Sequence, residues 1–151
     1  MTLGRATTVL ASAAHLLAWA AFLWTAFWPF AYQGVSATPV QVDEMGNPVG
    51  SVEREVVRHS ASFVEANGAW VLAPLFIPVV LTGLALLVLA TWRGRTGGII
   101  PVLWVLTAGQ LAFCLLASLS VGVFYVPAAL VLIVASATLT SRHRLPRVPP
   151  E

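Results

Sequence analysis

Three long stretches of this chain carry no Asp, Glu, Lys or Arg: residues 6–32, 69–92 and 97–141. A bilayer hydrocarbon core about 30 Å thick takes about 20 apolar residues per crossing helix. The first two stretches fit one crossing each. The third does not, because a continuous helix from Ile99 to Thr140 would run roughly 60 Å at about 1.5 Å per residue. It must fold back, and Ser118, Ser120 and Gly122 supply residues suited to a turn. The pattern therefore predicts an all-α membrane protein: a four-transmembrane-helix bundle in one membrane domain, residues 1–151. The spans fall at about 7–30, 69–92, 99–119 and 123–141, with an outer loop at 31–68. The short connection makes the last two helices antiparallel neighbours.

Prolines refine these elements. Pro101 and Pro127 fall in the first turns of the third and fourth spans, where a missing N–H costs little. Pro74 and Pro78 fall inside the second span, which predicts a helix that is kinked or starts late. Asn67-Gly68 is expected to cap that span.

The outer loop is the one stretch with soluble character. Val40 and Val42 alternate with polar residues, Met45-Gly46-Asn47-Pro48 is a turn signal, and a β-branched run leads to His59. A short β-hairpin over the bundle mouth is expected. The alternative is a helix at 51–59, in which Glu55 and Arg58 would pair one turn apart.

Composition sharpens the class. Of 151 residues 58% are hydrophobic and 9% charged, against about 25% charged in soluble domains, so lipid is the expected solvent. Net charge of +2, dispersed along the chain, gives no footprint for nucleic acid. The basic residues are all Arg, which with the Ala, Val and Leu content points to a GC-rich bacterial genome. Arg5 and the run behind it resemble a signal peptide. That run continues for about 25 residues into Trp24, Phe27, Trp28 and Phe30, longer than an h-region of about 7–15, so a retained first helix is expected.

Orientation follows the arginines. Arg5, Arg93, Arg95, Arg142, Arg144 and Arg147 share one side of a four-span layout, and Arg54 and Arg58 lie opposite. This asymmetry places both termini in the cytoplasm of a bacterial inner membrane. Trp24, Phe27, Trp28, Phe30, Tyr32, Trp70, Phe124 and Tyr125 then form an outer aromatic belt, with Trp92 at the inner side.

Candidate chemistry is sparse. His15, Thr82 and Gln110 each lie roughly 13–17 Å from the inner end of their span at about 1.5 Å per residue, one midplane polar cluster. An ionisable group at that depth raises a functional hypothesis; interhelical hydrogen bonding is the plainer explanation. Ala14/Ala18 and Ala108/Ala112 have the spacing that lets helices approach closely. In the loop, Glu53, Glu55, His59 and Glu65 form an acidic cluster of ligand-type residues without the spacing of a known metal loop. No metal or cofactor set is read, and Cys114 alone makes neither an intrachain disulfide nor a redox pair.

Two segments, Ser62-Phe63-Val64-Glu65-Ala66-Asn67-Gly68-Ala69-Trp70-Val71-Leu72-Ala73-Pro74 and Ser120-Val121-Gly122-Val123-Phe124-Tyr125-Val126-Pro127-Ala128-Ala129, resemble the entries to the second and last spans of small four-helix integral membrane proteins of bacteria, actinobacteria especially. The resemblance implies the four-span fold and no particular activity. Small multidrug exporters need an acid within a span, and here every acid lies outside them. Quinone-linked thiol oxidoreductases need paired cysteines. Claudin-like proteins share only the layout.

The expected function is a non-enzymatic accessory or interaction protein. Its contacts would be the lipid bilayer and a membrane-protein partner or a second copy. A small transporter or channel using the midplane residues is the alternative, and an enzyme acting on lipid or envelope substrates through the loop residues a second one.

Overall fold

The computed structural model describes residues 3–29, 32–37, 56–91 and 96–144. In chain order the elements are α1 (Leu3–Phe27), β1 (Tyr32–Ala37), β2 (Val56–Ala61), α2 (Phe63–Asn67), α3 (Leu72–Thr91), α4 (Thr96–Leu116) and α5 (Val126–Arg144). A single 3-10 turn precedes α3 (Ala69–Val71) and another precedes α5 (Gly122–Tyr125). Among the described residues four helical stretches are long and apolar enough to cross a membrane: Arg5–Phe27, Ala69–Thr91, Gly98–Leu116 and Gly122–Ser141. By length and composition the chain is a multi-pass membrane protein.

The four long helices run up and down around a shared interior. His15 and Phe22 of α1 meet Thr82 and Phe76 of α3, so the numbers run in opposite senses. Thr107 and Phe113 of α4 meet Ser136 and Tyr125 at α5 in the same reversed order. Each helix packs on two neighbours: α1 on α3 and α5, and α4 on the same two. Alanines set the closeness of α1 and α5. Ala11, Ala14, Ala18 and Ala26 on one side and Ala128, Ala129 and Ala135 on the other are buried, which lets the backbones approach where lipid supplies no hydrophobic drive. The Ala14/Ala18 pair thus faces the interior, whereas Ala108 and Ala112 are exposed.

Several details differ from the pattern read along the chain. α1 ends at Phe27 and α4 at Leu116, so the third span stops three residues before Leu119. α3 starts late: Pro74 sits in its first turn, and Pro78 is the proline inside it. α4 starts early, at Thr96, which puts Pro101 inside the helix rather than in its first turn. Of the expected Asn67-Gly68 cap, Gly68 is the N-cap of the 3-10 turn that leads into α3, without a side-chain bond, and Asn67 takes no part. Its side-chain amide donates back to the Phe63 carbonyl at 3.0 Å within α2. Gly68 makes the break instead. It has φ 85°, the left-handed region that glycine enters without strain, and its N–H closes α2 on the Val64 carbonyl at 2.7 Å.

β1 and β2 pair antiparallel, from Tyr32 opposite Ala61 to Ala37 opposite Val56. Residues 56–61 are therefore strand, not the end of a helix at 51–59. The turn expected at residues 45–48, with Val40 and Val42, lies outside the described residues, as do Phe30, Trp92, Arg54 and Arg147.

The connection between α4 and α5 is tight. The Ser120 and Gly122 N–H groups both donate to the Ala117 carbonyl, at 3.0 and 2.7 Å. A Cβ on Gly122 would collide with the Cys114 carbonyl oxygen and lie 2.6 Å from the Ala117 carbonyl carbon. Only a residue without a side chain permits that approach.

Candidate functional site

The interior is divided along its length. One apolar cluster contains Ala18, Phe22, Leu75, Val79, Cys114, Tyr125 and Ala128, towards the end where the sheet follows α1. A second contains Ala14, Ala85, Ile99, Leu103, Leu132 and Leu139, towards the end where the chain begins. Between them on α1 lies His15, between them on α3 lies Thr82, and between them on α4 lie Thr107 and Gln110. A polar layer thus crosses the bundle about half-way along.

His15 and Thr82 are in direct contact. The His15 Nδ1 and the Thr82 hydroxyl oxygen are 3.0 Å apart, and the Trp19 indole N–H donates to the His15 Nε2 at 3.1 Å. Indole N–H is a donor only, so Nε2 must be the bare, accepting nitrogen. The proton then sits on Nδ1 and points at Thr82. The Thr82 hydroxyl in turn donates to the Pro78 carbonyl at 2.9 Å, with the Val79 carbonyl at 3.1 Å. Trp19, His15, Thr82 and the α3 backbone form one chain in which every donor has an acceptor, with a neutral imidazole at its centre. This assignment follows from the hydrogen-bond geometry.

Local sequence builds the chain of bonds. His15 and Trp19 stand one turn apart on α1, and their rings meet edge to face at 6.3 Å and 81°. Trp19 packs the same way on Phe76 and Phe22, at 5.5 and 5.8 Å, which fixes the indole that reaches back to the imidazole. On α3, Gly83 leaves room for the ring, since a Cβ there would stand 3.3 Å from His15 Cε1. Gly83 carried no signal in the sequence beyond being a glycine in an apolar helix.

Gln110 behaves differently. Its side chain is 0% exposed, and neither Oε1 nor Nε2 has a hydrogen-bond partner. It is not bonded to His15. The neighbouring polar link instead joins Thr107 and Ser136, whose hydroxyl oxygens are 2.9 Å apart. Each hydroxyl also lies within 2.9 Å of its own helix, at the Leu103 and Leu132 carbonyls. Two protons serve three short contacts, so one contact is always without a proton. Thr107 and Ser136 did not stand out in the sequence, because Ser and Thr are ordinary in such helices and only the register of α4 on α5 brings them together.

Tyr125 also lies in the interior, not in the aromatic belt. It is fully buried, and its hydroxyl donates to the Leu75 carbonyl at 2.9 Å. Trp24, Phe27, Trp28, Trp70 and Phe124 are exposed as a belt requires, and Trp24 stacks on Trp28 with centroids 4.0 Å apart and planes 12° apart.

Of the outer-loop cluster, Glu53 and Glu55 lie outside the described residues. His59 is in β2, opposite Gly34, with only its backbone described. Glu65 has a structural role: its carboxylate accepts the Ser62 N–H at 2.7 Å while the Ser62 hydroxyl accepts the Glu65 N–H at 3.2 Å. The bonds from Ser62, the backbone N–H foremost and the side chain second, hold the Glu65 carboxyl below its ordinary value. This is a capping box, and the Ser-x-x-Glu spacing was readable in the sequence. Among the described residues no group of three or more His, Cys, Asp or Glu converges as a metal set would. Cys114 is free and buried.

A second feature lies on the lipid side. Leu17, Ala20, Ala21 and Trp24 of α1, Phe124 of the 3-10 turn and Pro127 of α5 line an open groove of about 340 Å³. Comparison of the chain with protein-family models, with characterised proteins and with solved structures finds no match.

Proposed function

We propose that this chain is a non-enzymatic accessory or interaction protein of a bacterial inner membrane. One observation carries the reading. His15 and Thr82, the groups best suited to move a proton or hold a solute, are bonded to each other, to Trp19 and to the α3 backbone. Groups spent in this way join helices, a contribution of about 0.6 kcal/mol each on average in membrane bundles. Glu65, the loop acid whose contacts are described, is likewise committed to a cap. What remains for function is the surface the bundle presents to lipid and to other membrane proteins. Purification of the full chain in mild detergent, with identification of co-purifying membrane proteins, tests this. A stoichiometric partner or a stable homo-oligomer is expected. A monomer alone that moves a solute into vesicles would overturn it.

Gln110 favours a second reading, a small transporter or channel, because a buried amide without partners is what a solute path would keep. His15→Leu separates the two. In the accessory reading it leaves insertion and cellular phenotype nearly unchanged. In the transport reading it abolishes function while the protein still inserts.

The arginine asymmetry supports both termini in the cytoplasm, with the sheet outside. Reporter fusions after Pro150 and near Asn47 test that orientation, and periplasmic activity of the C-terminal fusion would reverse it.

A further inference from the structure

We draw no further inference here: the strongest candidate, the buried Gln110 amide in the polar layer between the two apolar clusters of the bundle interior, belongs to the site already described, where its lack of partners already carries the transport reading.

Discussion

Replacing Gln110 by Leu should stabilise the bundle. The amide is 0% exposed and neither polar atom has a partner. In proteins a buried amide without a hydrogen bond costs about 1–3 kcal/mol. Part of that cost is shared with the unfolded chain in the membrane, which also finds partners for its polar groups. Leu is close in size, and it would extend the line of Leu103 and Cys114 on the buried face of α4, joining the two apolar clusters. The net expectation is a gain of about 1 kcal/mol. Equilibrium unfolding of the full chain in mixed micelles, by titration with a denaturing detergent, measures it, with helix content as the signal. A loss of more than about 1 kcal/mol would refute the reasoning. That result would mean Gln110 has partners in the working protein, water or a solute, and would move weight to the transport reading.

Other outcomes follow from single contacts. Gly122→Ala places a methyl against the Cys114 and Ala117 carbonyls, so the α4–α5 connection cannot close; the variant should show sharply reduced yield of monodisperse protein, while Gly98→Ala, at an exposed position near the start of α4, should not. Tyr125→Phe removes the bond to the Leu75 carbonyl and should cost about 0.5–1.5 kcal/mol in the same unfolding assay. The Glu65 capping box should be pH-dependent. Its carboxyl is held below the ordinary value, so its contribution is present above the unfolded carboxylate pKa and is lost as pH falls through the lowered folded one. Amide exchange at Ser62 should rise on that acid limb, and Glu65→Gln should remove the dependence.

Much of the fold was legible because charge is so costly in hydrocarbon. The uncharged stretches located each crossing to within a few residues, and the length of the third forced the fold-back. Boundaries were less legible where backbone geometry decides them. Pro74 reads as a helix breaker until the 3-10 turn at Ala69–Val71 makes it a first-turn residue. Pro101 reads as a first-turn residue until α4 begins at Thr96.

The polar layer was only partly legible. Spacing along each span set His15 and Thr82 at similar depth, but depth does not give rotation about the helix axis. Rotation decides that His15 meets Thr82 and not Gln110, that Gly83 makes the space, and that Tyr125 turns inward to Leu75. Thr107 and Ser136 needed the register of two helices. Ser62 and Glu65 carried a local signal at fixed spacing, the kind of feature that sequence does hold.

The central claim is that Trp19, His15 and Thr82 inside the bundle are bonded to one another and hold α1 on α3. The nitrogen-15 spectrum of the His15 imidazole, with the full chain in lipid bilayers, tests it most directly. The account predicts one neutral tautomer, protonated at Nδ1 and bare at Nε2, coupled to the Trp19 indole and lost in Trp19→Phe. An imidazole protonated at Nε2, or one that exchanges between tautomers with bulk water, would contradict it.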